Sequence, residues 1–227
     1  MMITPIERSA YRPPRIRTTG RIIAADPLTA RIFDVVCASG LLVLFGPLMA
    51  IIALSIILTN PGPALFRQDR IGRHGRVFKC LKFRTMATDA EQRLERMLAN
   101  DPLARIEWER DHKLRDDPRI VGIGRFLRKS SLDELPQLLN VLRGEMSLVG
   151  PRPIVAAEIT RYGRYFNHYC AVRPGMTGLW QISGRNDVDY RRRVAFDVVY
   201  VRKGTVGRNL KILLLTLPSV MASRGSY

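Results

Sequence analysis

The sequence predicts a mainly helical α+β fold for a monotopic membrane protein. Its parts are an N-terminal re-entrant helix-break-helix, amphipathic interfacial helices and a small β element. Three observations predict it. The apolar run Val35 to Leu58 is interrupted at its middle and carries the same charge at both ends. The stretch Val77 to Met86 alternates with the period of a strand. Elsewhere, apolar residues recur at helical spacing behind capping patterns.

The organisation that follows is a flexible basic arm over 1–30, a re-entrant membrane helix over 31–59 and a cytoplasmic catalytic domain with interfacial helices over 60–227. In the arm, Pro13-Pro14 stands among Arg12, Arg15, Arg17 and Arg21, and no structure is forced on it. Nothing at the start reads as a cleavable signal. Across all 227 residues, Lys+Arg is 37 and Asp+Glu is 20, a net charge of +17. Such a balance calls for an anionic partner: nucleic acid, anionic membrane lipid or a phosphorylated substrate. Cys37, Cys80 and Cys170 share no metal-like spacing and fit a reducing compartment.

Val35 to Leu58 holds only Ser39 and Ser55 as polar side chains. A straight helix of that length reaches roughly 36 Å, enough for a hydrocarbon core of about 30 Å. Gly46-Pro47 divides it into halves, each about one leaflet long. Residues 1–34 carry six Arg against three acids, and residues 60–84 carry seven Arg/Lys against Asp69 alone. The positive-inside rule places both flanks on the cytoplasmic side. A helix that enters and leaves one leaflet satisfies this; a straight span and a soluble core helix are the competing readings.

Asn60-Pro61-Gly62-Pro63 is a turn by its chemistry. In the strand, alternation puts Lys82 and Arg84 on one face. Thr88 to Glu91 has capping-box spacing, and Asp101-Pro102 starts a second helix of an acidic, solvated pair. Ser131-Leu132-Asp133-Glu134 repeats the capping-box spacing ahead of a helix that stops at Gly144. Helices are also expected over Ile154–Phe166 and Asp189–Val201, the latter with Arg191, Arg192 and Arg193. Leu210–Val220 is an apolar run too short to span, which suits the interface.

Asp133 and Glu134 are the candidate catalytic pair. Adjacent carboxylates at a helix start are explained by capping alone. Their surroundings are unusual, however: Arg119 to Arg152 holds six Arg/Lys and three acids. Pro151-Arg152-Pro153 fixes an arginine between two residues of restricted φ. The stretch Arg173 to Arg185 is a glycine-rich loop that is neither a Walker loop nor a dinucleotide fingerprint.

Taken in order, Lys82-Phe83-Arg84-Thr85-Met86, Leu127-Arg128-Lys129 before Ser131 to Gln137, Gly150-Pro151-Arg152-Pro153 and Arg173 to Gln181 resemble the bacterial sugar transferase family. These are monotopic polyprenyl-phosphate phosphoglycosyl transferases. The resemblance runs from about Arg31 onward. Ser183 to Val188 and Ser223 to Tyr227 look most like the rhizobial exopolysaccharide-initiating galactosyl-phosphate transferases. The larger relatives carry an additional multi-span region, and the likeness is to the minimal form.

The resemblance implies transfer of a sugar-1-phosphate (galactose or glucose) from a UDP-sugar to undecaprenyl phosphate, with UMP released. It implies Asp133 as nucleophile and Mg²⁺ as cofactor with Asp133 as ligand, and it leaves Glu134 as base, metal ligand or positioning group. Arg128, Lys82, Arg84 and Arg152 become phosphate-binding candidates. Arg173, Gly175, Thr177, Gly178, Gln181 and Arg185 become nucleotide or sugar candidates. The cytoplasmic face of a bacterial inner membrane is the implied location. Relatives commonly carry Ser-Pro at the membrane break, where this chain has Gly46-Pro47. The alternative is a membrane-tethered anionic-lipid or nucleic-acid binding protein without catalysis. Nucleic acid is not the expected partner, for no zinc spacing or RNP-type aromatic motif accompanies the charge. The sequence leaves the sugar and the oligomeric state open.

Overall fold

A computed structural model describes residues 28–111, 114, 116–184 and 188–221. The expected arm up to residue 27, and Arg185, lie outside the described residues.

Helix α1 runs from Leu28 to Thr59. By length and composition it is long and apolar enough to cross a membrane. The break expected at Gly46-Pro47 is not seen: Pro47 lies inside a continuous helix. A proline costs one hydrogen bond and strains the preceding turn, which does not by itself end a long helix.

Both ends of α1 lie against the same body. Near the start, Arg31 donates to the carbonyls of Val141 (2.6 Å) and Leu142 (2.9 Å). Asp34 is 1% exposed and accepts from the Ser147 hydroxyl and the Leu148 N–H, each at 3.0 Å. Toward the other end, Ile52 and Ile56 pack with Phe83 and Leu127. Between them, Val43 and Leu44 stand exposed. Asp34→Ala leaves the Leu148 N–H buried without its acceptor. The expected loss is roughly 2–3 kcal/mol, a melting temperature lower by about 5–10 °C for a chain of this size. Thermal unfolding in detergent checks it.

The chain then forms an antiparallel hairpin, β1 (Leu65–Ile71) with β2 (Val77–Phe83), registered from Leu65↔Phe83 to Ile71↔Val77. β2 is shorter than the expected Val77–Met86. Its partner gives out at the Pro61-Gly62-Pro63 turn, and Arg84 N–H makes the last pairing, to Ala64.

Helices α2 (Ala90–Asn100) and α3 (Pro102–Asp111) are the acidic pair. The Asp101 carboxylate caps α3, accepting from Leu103 and Ala104. The capping box expected at Thr88 does not form: Asp89 occupies the cap position and its carboxylate binds Arg93 instead.

Helix α4 (Gly124–Ser130) ends at Ser131 in the left-handed region, φ 58°. A single 3₁₀ turn, Leu132–Glu134, follows, and Pro136 opens α5 (Gln137–Arg143). The capping box expected at Ser131 is therefore absent, and neither carboxylate caps a helix. Gly144 stops α5 as expected.

Strand β3 (Ser147–Val149) pairs in parallel with β4 (Gly175–Thr177). Between them, the single helix expected over Ile154–Phe166 is broken into short turns, α6 (Ile159–Tyr162) and α7 (Phe166–Ala171). Gly163, at φ 49°, divides them. After α8 (Leu179–Ile182), α9 (Tyr190–Lys203) begins at Asp189, whose carboxylate accepts from the Arg191 and Arg192 N–H groups. Helix α10 (Val206–Met221) is longer than the apolar run alone suggests. Its buried Asn209 accepts from the Tyr200 hydroxyl at 3.1 Å, which carries the helix inward before that run starts. The main core joins Ala38 of α1, Leu138 and Val141 of α5, Leu148 and Val149 of β3, Val201 of α9 and Ile212 of α10.

Candidate active site

Asn140 of α5 fixes strand β2 and so the site's principal cation. It is fully buried; its amide oxygen accepts from Leu81 N–H at 3.0 Å. Its amide nitrogen donates to Lys79 O (2.8 Å) and to the Glu145 carboxylate (2.6 Å). This clamp sets β2 across the turn that holds the acids. Lys82 Nζ then lies 2.7 Å from Glu134 Oε1 and 3.9 Å from Asp133 Oδ2. Arg152 Nη2 reaches Glu134 Oε1 at 3.9 Å. Arg70 steadies the Pro151–Pro153 segment by donating to Pro153 O at 2.9 Å. Asn140 and Arg70 carry no motif signature; only the tertiary contacts reveal them.

The two carboxylates differ in environment. Burial raises Asp133, and the neighbouring Glu134 charge raises it further. Lys82 and Arg128 offset part of this, leaving it at about 6. Burial acts against ionised Glu134 too, but Lys82, Arg152 and Arg70 outweigh it and hold that carboxyl below its usual range. Such a split between neighbouring acids suits them to different roles.

A cavity of about 1180 Å³ opens over the pair. Lys82, Arg84, Arg128 and Arg152 line it, as do Thr177, Trp180 and Gln181. Its apolar wall is made by Leu41 and Phe45 of α1 and Leu213 of α10. A cavity lined by cations thus opens directly onto the apolar helix.

Two expected cations are engaged elsewhere. The Arg84 guanidinium, though at the cavity wall, donates to the carbonyls of Asn60 and Pro61 just past the end of α1. Arg173 Nε donates to Gly144 O at 2.8 Å, and the residue is not among those lining the cavity. The glycines of this loop also serve packing. A side chain on Gly175 would lie 2.0 Å from Gly150 N, and its own N–H is spent on Pro151 O. Gly178 likewise crowds Gly150 O. Thr177 and Gln181 are the loop candidates that reach the cavity. Gly46, in the exposed middle of α1, has open space where a side chain would be.

Among the described residues no group of three or more His, Cys, Asp or Glu could hold a metal. The acids do suit Mg²⁺ in its common mode, in which one or two carboxylates join substrate phosphates and water. Among the described residues Lys82, at 3.9 Å, is the cation paired with the Asp133 carboxylate.

Fold and site define a class: a cation-lined cavity over a buried carboxylate, set against an apolar helix. The chain belongs to the bacterial sugar transferase family, whose profile matches residues 25–223. It is 51% identical over 197 residues to an undecaprenyl-phosphate galactose phosphotransferase of Salmonella typhimurium, covering 87% of this chain and 41% of that relative. It is 48% identical over 221 residues to the exopolysaccharide production protein ExoY of Rhizobium meliloti, covering 97% and 98%. A UDP-glucose:undecaprenyl-phosphate glucose-1-phosphate transferase of Caulobacter vibrioides is 42% identical over 213 residues, covering 90% and 74%. The chain thus spans about two fifths of the Salmonella relative and nearly the whole of the rhizobial one.

Proposed function

We propose that this protein is a polyprenyl-phosphate hexose-1-phosphate transferase. It moves galactose- or glucose-1-phosphate from a UDP-sugar to undecaprenyl phosphate and so begins exopolysaccharide assembly. The observation that carries this is the Asp133 carboxylate, buried beside Lys82 and Arg128 in a cavity walled on one side by the apolar helix α1. Relatives named for this chemistry, similar over most of the chain, support it.

In the first step an Asp133 oxygen forms a bond to the β-phosphorus. The bond from that phosphorus to the bridging oxygen breaks, and UMP departs with the oxygen. Asp133 then carries the sugar phosphate as an acyl phosphate. In the second step an oxygen of the lipid phosphate attacks the same phosphorus and the carboxylate is released. A covalent intermediate divides one hard displacement between two polyanions into two easier ones. Lys82, Arg128 and Arg152 supply the charge that lets a carboxylate meet phosphate. Glu134 acts as a positioning group, because a carboxylate held below its usual pKa is a weak base. Mg²⁺, when bound by Asp133 and substrate phosphates, would neutralise phosphate charge.

The re-entrant reading of α1 belongs to this proposal. Basic residues on both flanks support it, and so does the packing of both helix ends on one body. The catalytic body then faces the cytoplasm on the bacterial inner membrane. Lys211 beside exposed Leu210 and Leu214 on α10 suits anionic lipid.

Nucleotide analysis tests the reaction. With UDP-galactose or UDP-glucose, polyprenyl phosphate and Mg²⁺, the protein releases UMP; release of UDP would mark a conventional glycosyl transfer instead. The pH profile is a second check. Asp133 must be ionised to attack, so kcat/KM falls about tenfold per unit as pH drops below about 6. A flat profile from pH 7 to 5 would contradict that assignment.

A further inference from the structure

We infer that Thr85 is a positioning residue: it fixes the plane of the Arg128 guanidinium so that its outer, two-nitrogen edge meets the donor's phosphate. The inference rests on the phosphoryl-transfer reading above. It names a residue that this reading does not require.

Arg128 Nε donates to Thr85 Oγ1 at 2.8 Å. That bond occupies the donor nearest the side-chain stem. Among the described residues no hydrogen bond is recorded for the two terminal nitrogens, and both residues line the cavity with Asp133. The nearby Asp117 carboxylate is taken by Arg119, at 2.7 and 2.8 Å, so it does not compete for Arg128. An arginine held through Nε presents its remaining pair in the planar geometry that grips two phosphate oxygens.

Thr85 can serve as a fixed post because it is itself held. It is 6% exposed, and its carbonyl accepts from Val121 N–H. The next links are the Met86↔Ile120 bridge and Ala87 N–H to Arg119 O. Gly124, the first residue of α4, sits so close that a side chain there would come within 2.3 Å of Thr85 O. The helix that carries Arg128 is therefore pressed against the residue that orients it. The ordering of a long side chain is settled on folding and is not left for the moment of binding.

The test is a double-mutant cycle on the full chain in detergent, with UDP-hexose, polyprenyl phosphate and Mg²⁺. Thr85→Val and Thr85→Ala lower kcat/KM about 10–100-fold, and Thr85→Ser stays within about threefold of wild type. In an Arg128→Gln background, Thr85→Val costs nothing further, because Thr85 acts only through Arg128. An equal cost in both backgrounds, or a serine variant as poor as valine, overturns the inference. UMP from the wild type alongside either result leaves the parent reading standing. UDP from the wild type overturns the parent reading and this inference with it.

Discussion

Asp133→Asn abolishes transfer while making the protein more stable. The amide cannot attack phosphorus, so the rate falls on the order of 10⁴-fold or more. The stability gain follows from burial. Asp133 is held at about 6, against an ordinary value near 4. Its folded-state pKa is raised, so its ionised form costs stability at neutral pH. That cost is relieved as pH falls through about 6 towards 4. A two-unit shift corresponds to at most about 3 kcal/mol. The asparagine variant therefore melts several degrees above wild type at pH 7, and the two converge near pH 4. A catalytically dead variant that is also less stable at pH 7 would point to a structural carboxylate. An active one would remove Asp133 from the chemistry.

Lys82→Met is the second large effect. The lysine holds Glu134 at 2.7 Å and stands 3.9 Å from Asp133. Its charge favours ionised Asp133, so its loss pushes that carboxyl higher still. Two penalties combine: less nucleophile is ionised at pH 7, and one phosphate-binding charge is gone. We expect kcat/KM to fall about 10²–10³-fold, with the acid limb of the pH profile displaced to higher pH. Raising the pH recovers the first part of the loss and not the second. A variant with an unmoved acid limb would show that Lys82 does not set the Asp133 pKa.

The long N-terminal helix was legible because a run of twenty-four residues with only two serines as polar side chains permits few alternatives. The Asp133-Glu134 pair was legible as a candidate, though its local spacing pointed first to helix capping. Capping is what the structure removes: the acids sit in an isolated 3₁₀ turn, with Ser131 left-handed before it and Pro136 after it. Strand β1 could not be read, since Leu65–Ile71 mixes charges into a short edge whose stability comes from β2. Nor can sequence tell a cation meant for ligand from one that serves backbone carbonyls. Lys82 and Arg84 share a face, yet Lys82 meets the acids and Arg84 binds the carbonyls of Asn60 and Pro61. Thr85, Asn140 and Asp34 escaped for a related reason. Each is a single polar residue with a partner more than forty positions away.

The central claim is that Asp133 carries the sugar phosphate. Intact-mass measurement of the protein mixed with UDP-hexose and Mg²⁺, with no lipid phosphate present, tests it most directly. A population heavier by one hexose phosphate is expected, located at Asp133, matched by UMP and discharged when polyprenyl phosphate is added. Turnover with no such adduct, or an adduct that persists in Asp133→Asn, would contradict it.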